Sequence, residues 1–264
     1  MRIALCQLDI IWEDKTENLY RAEKFITQAA EQQADLILFP EMSLTGFSMN
    51  TALTAEDHRN TVEQFRALAQ AQNINVGFGW VSAAEDKAQN HYSVVSREGQ
   101  LVSDYVKIHP FSFGEESKHF IGGDRLAVFI LEGVSCSTFI CYDLRFPEIF
   151  QAVSNEVSLI IVAANWPATR KEHWRLLLQA RAIENQVFIV GVNCVGPKGG
   201  LYYSGNSMVV DPEGNILAEL TEEEGLLLIE IDPSKVAIYR RSFPLKADRR
   251  TELYQIFYKR KREV

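Results

Sequence analysis

The stretch IALCQLDIIWEDKTENLYRAEKFITQAAEQQADLILFPE, residues 3–41, contains the pattern of a strand, a helix and a second strand. Residues 3–8 and 36–39 are almost entirely apolar, which is typical of strands that are covered on both faces. Between them, apolar residues keep helical spacing from about Asp14 to Gln33, and Asp14 is placed to cap this helix. The order predicts an α/β fold.

The rest of the chain continues this alternation. Further short apolar runs occupy residues 76–81, 92–95, 134–140, 159–164 and 187–192. Helices are predicted around residues 56–72 and 171–186. Residues 92–106 instead indicate a hairpin that reverses at Glu98-Gly99, so antiparallel pairing joins the parallel units. Because no linker or repeat interrupts the pattern, we expect residues 1–264 to form a single domain.

Charge and hydropathy exclude several function classes. The 27 Lys and Arg against 35 Asp and Glu give a net charge of -8, which repels a phosphate backbone, so no nucleic-acid partner is expected. The basic run Lys259–Arg262 is expected to be a solvated or subunit-contacting tail. No apolar run approaches the ~20 residues that span a bilayer, so no membrane partner is expected.

The cysteines and histidines indicate neither a disulfide scaffold nor a metal centre. The cysteines, at positions 6, 136, 141 and 194, form no CxxC pair, which favours a reducing, cytoplasmic setting. The apolar stretch at the N-terminus ends at Asp9, which is too early for this stretch to be the apolar core of a signal peptide. The five histidines lack the convergent spacing of metal ligands, so no metal is expected.

Cys141 is the candidate nucleophile. It ends the apolar run 134–140, and backbone N–H groups at such a strand end are free to meet an anion. We expect a following helix N-terminus to lower the pKa of the thiol. The other three cysteines lie in or beside apolar strands, where a thiol usually fills space.

Two charged residues also stand at strand ends. Glu41 follows an apolar strand, where desolvation strengthens a carboxylate as a base, and Lys107 ends another strand. Taken alone, either residue is equally compatible with a solvated charge at the end of a strand. Together with Cys141, the two residues supply a nucleophile, a base and a cation.

Three ordered motifs carry a resemblance to a known family. They are Phe39-Pro40-Glu41, Tyr105-Val106-Lys107-Ile108-His109 and Cys141-Tyr142-Asp143-Leu144-Arg145-Phe146-Pro147-Glu148. Residues 164–167 (ANWP) and 180–186 (ARAIENQ) agree further. In these motifs, the chain resembles the carbon–nitrogen hydrolase (nitrilase) superfamily. The resemblance covers nearly the whole chain.

The resemblance implies roles for individual residues and a mechanism without a cofactor. Cys141 corresponds to the nucleophile and Glu41 to the general base, while Lys107 and the backbone N–H of Tyr142 correspond to the oxyanion donors. A second catalytic glutamate follows the lysine in many members. Glu115 and Glu116 both fit, and the spacing from Gly123-Asp124 favours Glu116.

The resemblance also implies an architecture and an assembly. The expected fold is an α-β-β-α sandwich of two mixed sheets with helices on both outer faces. Family members commonly dimerise through helices near the nucleophile, here residues 146–150 and 171–186, and larger assemblies occur. We therefore expect a homodimer or a larger homo-oligomer, in which the tail from about residue 245 contacts a partner subunit.

Within the superfamily, residues 141–148 and 165–170 look most like the ω-amidase branch. This branch releases ammonia from small 2-oxo acid monoamides, namely 2-oxoglutaramate and 2-oxosuccinamate. The alternatives are an amidase for deaminated glutathione or another aliphatic amide, and, in a different class, a binding module without catalysis. The motif around Cys141 disfavours a nitrile hydrolase.

Five residues are candidates for substrate binding. Arg145 or Arg170 would bind the distal carboxylate of such a substrate, although Arg145 equally fits a structural pairing with Glu148 or with a helix end. Three aromatic residues near the strand ends would wall the pocket, or else belong to the core or a subunit contact. These are Trp166, Phe111 and Phe113.

Overall fold

A computed structural model describes residues 1–259 of the chain, so residues 260–262 of the predicted basic run lie outside the described part. The strands are β1 (Arg2–Gln7), β2 (Leu36–Leu38), β3 (Asn75–Ala84), β4 (Lys87–Val95), β5 (Leu101–Val106), β6 (Val128–Leu131), β7 (Val134–Ile140), β8 (Leu159–Ala164), β9 (Phe188–Asn193), β10 (Val195–Lys198), β11 (Leu201–Val210), β12 (Ile216–Thr221) and β13 (Gly225–Glu230). The helices are α1 (Lys15–Glu31), α2 (Thr51–Thr54), α3 (Asn60–Gln72), α4 (Glu116–His119), α5 (Pro147–Val153), α6 (Lys171–Asn185), α7 (Ser234–Ser242) and α8 (Thr251–Lys259).

The strands form two mixed sheets. The first sheet has the order β13-β1-β2-β3-β4-β5, in which β1, β2 and β3 are parallel neighbours and the remaining pairs are antiparallel. The second sheet has the order β10-β11-β9-β8-β7-β6, with β12 paired to β11. Its centre, β7, β8 and β9, is parallel. Parallel strands joined by helices place their carboxyl ends at one edge, where ligand sites form.

The two sheets pack face to face around a shared apolar core. The core takes side chains from both inner faces, among them Leu5, Leu38, Phe139 and Ile161. On the outer side of the first sheet, α1 and α3 pack through a second cluster that includes Ile26, Phe65 and Phe78. On the outer side of the second sheet lie α5 and α6, whose Phe150, Trp174 and Leu178 are fully buried. The predicted α-β-β-α sandwich is confirmed.

The predicted local elements agree with the structure except at one helix start. Asp14 caps α1 by accepting a hydrogen bond from Glu17 N at 3.0 Å, and β4 and β5 form the predicted hairpin. Helix α3 begins at Asn60 rather than near residue 56, because Glu56 forms a bridge to Ser82 and its carboxylate accepts from Thr61 N at 2.9 Å. Within residues 1–259, no helix has the length and apolarity that crossing a membrane requires.

Candidate active site

The predicted nucleophile, base and cation meet where the carboxyl ends of four strands converge. Glu41 lies just beyond β2, Lys107 directly follows β5, and Cys141 directly follows β7. A fourth polar residue, Asn165, follows β8 in the same way. The sandwich thus brings residues from both sheets to one site.

Lys107 lies between two buried carboxylates. Its Nζ is 2.9 Å from Glu41 Oε1 and 2.9 Å from Glu116 Oε2, and Asn90 Nδ2 donates to Glu41 at 2.8 Å. Burial lowers the pKa of Lys107, but Glu116 and Glu41 outweigh it, so the net pKa lies well above the usual lysine range. The ammonium is therefore permanently charged.

The structure distinguishes the two candidates for the second glutamate. Glu116 is fully buried and also accepts a hydrogen bond from Phe111 N at 2.5 Å. Glu115 is exposed and pairs with Lys118 instead. Lys107 therefore forms an ion pair with Glu116, the residue that the spacing from Gly123-Asp124 favoured.

Cys141 begins a 3₁₀ turn, Cys141–Arg145, with a positive φ of 45°. Its Sγ lies 3.8 Å from Asn165 O, while Asn165 N donates to Glu41 Oε2 at 2.9 Å. The backbone of Asn165 thus contacts both the Cys141 thiol and the Glu41 carboxylate. Such a left-handed conformation in a non-glycine residue is uncommon and concentrates at functional sites.

The expectation of a lowered thiol pKa is wrong. Burial and the nearby Glu41 raise the pKa of Cys141 well above its usual value, against the lowering effect of Lys107. The expected helix N-terminus does not offset this, because α5 begins only at Pro147, after the 3₁₀ turn. The site therefore favours the protonated thiol over the thiolate.

Asp143 fixes the turn that carries the nucleophile. Its buried carboxylate accepts hydrogen bonds from Ile140 N at 3.2 Å, Tyr105 Oη at 2.7 Å and His109 N at 3.0 Å. These contacts tie the turn to the segment that contains Lys107. The buried carboxylate of Asp143 thus sets the position of the Cys141 thiol relative to the Lys107 ammonium.

A cavity of about 50 Å³ opens beside the thiol. Its lining comes from both sheets and comprises Phe47, Lys107, Phe111, Cys141, Tyr142, Arg145, Asn165, Trp166, Pro167, Arg170, Leu201 and Tyr203. Four of the five predicted substrate-binding residues are in this wall. Phe113 is not: it lies in a short 3₁₀ turn, is 85% exposed, and its ring is tilted against that of Phe111 with the centroids 5.9 Å apart.

The two arginines of the wall contact aromatic rings. The guanidinium of Arg145 lies 4.7 Å from the ring of Trp166, and that of Arg170 lies 5.6 Å from the ring of Phe111. Burial and the nearby Arg170 lower the pKa of Arg145, so the two cations lie within electrostatic range of each other.

The alternative of a structural pairing between Arg145 and Glu148 is not observed. Within the described part of the chain, neither Arg145 nor Arg170 has a carboxylate within 4.0 Å. Arg145 instead has His173 Nδ1 at 3.3 Å. The pocket therefore presents two cations that no side-chain anion neutralises.

Several residues of the site were not identified as site residues from the sequence, among them Phe47, Asn90, Asn165 and Tyr203. Asn165 carries the same signal as the catalytic candidates, since it follows an apolar strand. Asn90 lies within β4 and Tyr203 within β11, and nothing in their local sequence separates them from ordinary strand residues. Only the pairing of strands brings them to the site.

Comparisons with known proteins agree with this geometry. The carbon–nitrogen hydrolase family matches residues 2–241. A 2-oxoglutaramate amidase of Bacillus subtilis (strain 168) is 34% identical over 256 residues, which are 96% of this chain and 98% of that protein. The omega-amidase YafV of Escherichia coli (strain K12) is 32% identical over 250 residues, or 94% of this chain and 96% of that protein.

A solved structure shows the same fold. A variant of the amidase from Nesterenkonia sp. AN1, to whose active-site cysteine acrylamide has added, superposes with a TM-score of 0.87 at 27% identity. The match covers 97% of this chain and 99% of that one. The chain therefore belongs to the carbon–nitrogen hydrolase family and is an enzyme of that family.

Proposed function

We propose that this enzyme is an amidase that hydrolyses the terminal carboxamide of a small 2-oxo acid monoamide, 2-oxoglutaramate or 2-oxosuccinamate, to the acid and ammonia. One observation carries the proposal. The pocket has a Cys141 thiol beside the buried Glu41–Lys107 pair at one end, and two arginines without carboxylate partners in its wall.

The first half of the reaction forms a thioester. Glu41 accepts the proton of the Cys141 thiol, and the thiolate sulfur attacks the carboxamide carbon. Lys107 and the backbone N–H of Tyr142 hold the negative oxygen of the tetrahedral intermediate. Glu41 then returns the proton to the leaving nitrogen, the carbon–nitrogen bond breaks and ammonia departs.

The second half hydrolyses the thioester. Glu41 takes a proton from water, and the hydroxide adds to the thioester carbon under the same two oxyanion donors. The carbon–sulfur bond breaks, the acid leaves, and the proton on Glu41 returns to the Cys141 sulfur. Glu116 and Asn90 position the lysine and the base throughout, since both contact Glu41 or Lys107 directly.

The charge of the pocket supports an anionic amide. Two partly buried guanidinium groups without a carboxylate partner favour a ligand that brings its own negative charge. A 2-oxo acid monoamide carries a carboxylate at the end opposite its amide. A simple aliphatic amide does not, and would leave both arginines without an anion.

The small cavity beside the thiol, about 50 Å³, favours the shorter of the two substrates. A peptide-sized amide such as deaminated glutathione would require a larger opening of the pocket than a five-carbon 2-oxo acid monoamide. A non-catalytic binding module is a poorer fit, because burying Glu41, Lys107 and Glu116 together costs solvation energy that simple binding does not require.

The test is ammonia release from 2-oxoglutaramate, deaminated glutathione, propionamide and a nitrile by the purified protein. We expect 2-oxoglutaramate to have the highest kcat/KM. Cys141→Ala should abolish turnover, and Lys107→Met should lower kcat by about a hundredfold or more, because one oxyanion donor is lost.

Cys136→Ala is the matched control, since this buried thiol lies in β7 only five positions earlier and outside the pocket. It should retain turnover. Full activity of Cys141→Ala would exclude the mechanism. A higher kcat/KM on another amide, still dependent on Cys141, would exclude the substrate assignment alone.

A further inference from the structure

Tyr203 is a buried tyrosine whose hydroxyl makes no hydrogen bond within residues 1–259. The side chain is only 2% exposed, and its hydroxyl keeps part of that small accessible surface. The two other tyrosines with comparable burial both donate: Tyr92 to Phe39 O at 2.9 Å and Tyr105 to Asp143 Oδ2 at 2.7 Å. The hydroxyl of Tyr203 is therefore open to a ligand or to water.

Tyr203 lines the cavity together with Cys141 and Arg170. Lys198 Nζ lies 5.1 Å from the centroid of its ring. Burial, followed by Cys194, Cys141 and Glu41, raises the pKa of Tyr203, and Arg170 lowers it. The hydroxyl is therefore a neutral donor within electrostatic range of both the nucleophile and Arg170.

Because Tyr203 shares the cavity with Cys141 and the two arginines, its hydroxyl is a candidate donor to the part of the proposed substrate that lies between them. If the amide carbon of 2-oxoglutaramate lies at Cys141 and its carboxylate at the arginines, the groups between them are two methylenes and the 2-oxo carbon. The 2-oxo oxygen is the only polar atom of that middle part. It accepts hydrogen bonds and does not donate them, which matches a hydroxyl donor.

We propose that Tyr203 is a specificity-determining residue whose hydroxyl donates a hydrogen bond to the 2-oxo oxygen of the substrate. The inference rests on the proposed function and deepens it, because it explains how a 2-oxo acid amide is distinguished from a plain dicarboxylic acid monoamide. A site built to hydrogen-bond one substrate group discriminates against the analogue that lacks the group.

The test pairs one substitution in the enzyme with one in the substrate. Wild type and Tyr203→Phe are each measured on 2-oxoglutaramate and on glutaramate, which has the same chain, amide and carboxylate but a methylene in place of the 2-oxo group. We expect Tyr203→Phe to lower kcat/KM for 2-oxoglutaramate by about tenfold, mainly through KM, and to change that for glutaramate by less than about twofold.

Tyr202→Phe is the matched control, because this neighbouring tyrosine is half exposed and lies outside the cavity wall. It should keep the wild-type preference for the 2-oxo substrate. A second readout is the affinity for the product 2-oxoglutarate relative to glutarate, measured by calorimetry. Tyr203→Phe should remove the difference between the two acids.

Three outcomes would contradict the inference. If Tyr203→Phe lowers kcat/KM equally on both substrates, the residue supports the pocket or the catalytic groups rather than the 2-oxo oxygen. If it retains the wild-type preference, the hydroxyl does not contact the substrate there. If the wild type hydrolyses neither compound, the proposed function fails before any variant is compared, and this inference fails with it.

Discussion

At the scale of single residues, the surroundings of Cys141 favour its protonated thiol, and the proposed mechanism assigns the activation of this thiol to a neighbour. Burial and Glu41 raise its pKa, so the same carboxylate that disfavours the thiolate electrostatically is the proposed acceptor of the thiol proton. This proton transfer moves one negative charge from the Glu41 carboxylate to the Cys141 sulfur inside the same buried space.

This arrangement predicts opposite effects of Glu41→Gln on thiol ionisation and on turnover. Removing the negative charge should shift the pKa of Cys141 downward, while kcat falls by about a hundredfold or more because the base is gone. The measurement is the rate of alkylation by iodoacetamide against pH, with Cys141→Ala subtracted for the three other cysteines. An alkylation profile that stays in place or moves to higher pH would contradict the assignment.

The residues that the sequence predicted, and those it missed, differ in how they reach the site. Glu41, Lys107 and Cys141 could be predicted because each follows an apolar strand, and a family resemblance then supplied their roles. Glu116 was found only to within one position, because its burial depends on how α4 packs. Tyr203 and Asn90 could not be predicted, since their side chains belong to the site only once distant strands pair.

At the scale of elements, β3 holds the segment that carries the base. Ser43 Oγ accepts a hydrogen bond from Gly79 N at 2.8 Å, and Ser43 N donates to Gly79 O at 3.0 Å. Gly79 leaves room for this contact, since a Cβ there would lie 2.3 Å from Met42 N and 2.8 Å from the Glu41 carbonyl carbon. Both close atoms are backbone, so only a shift of the segment would relieve the clash.

We therefore expect Gly79→Ala to displace Glu41. Kcat should fall by about a hundredfold, as expected for a misplacement of roughly 1 Å, and the free energy of unfolding should fall by about 1–3 kcal/mol. Activity assays and urea denaturation measure the two effects. Gly225→Ala in β13 is the control, because its added Cβ would have only Leu220 Cδ2 nearby, at 3.7 Å. Wild-type turnover in Gly79→Ala would show that β3 does not position the base.

Strands, helices and the hairpin could be predicted because hydrophobic periodicity and capping are local properties. The close approach at Gly79 could not, because a glycine inside a strand has the same sequence signal whether it marks a bulge, a bend or a neighbouring backbone. The late start of α3 has a similar cause. The residue at the predicted start of that helix, Glu56, instead pairs through its backbone with Ser82, a strand residue far along the chain.

At the scale of the whole molecule, the C-terminal segment caps the ends of two helices with hydrogen bonds from its cationic side chains. Arg240 donates to Ser154 O at 2.6 Å and to Asn185 O at 3.3 Å, and Lys246 donates to Ser154 O at 2.7 Å. These carbonyls lie at the C-terminal ends of α5 and α6, where cations are favoured. The contact of the tail with a partner subunit stays a prediction.

Because cations are crowded in this segment, the free energy of unfolding depends on pH through Lys246. Burial, followed by repulsion from Arg240 and Arg249, lowers the pKa of Lys246 from 10.5 to about 7. Between these two values, the unfolded chain holds a proton that the folded chain has lost. The contribution of Lys246 to the free energy of unfolding therefore rises with pH from about 7 towards 10.5, and the folded state carries the full penalty below 7.

Lys246→Met removes this contribution and leaves every other titrating group in place. The free energy of unfolding of the wild type relative to Lys246→Met should increase between about pH 6.5 and about pH 9.5, as measured by urea denaturation. Lys235→Met, which removes the same charge from an exposed position in α7, serves as the control and should show no such increase. Parallel pH profiles of the wild type and Lys246→Met would mean that the ammonium is as well solvated in the folded protein as in the unfolded chain. In that case, Arg240 and Lys246 would act on the helix ends as ordinary surface cations.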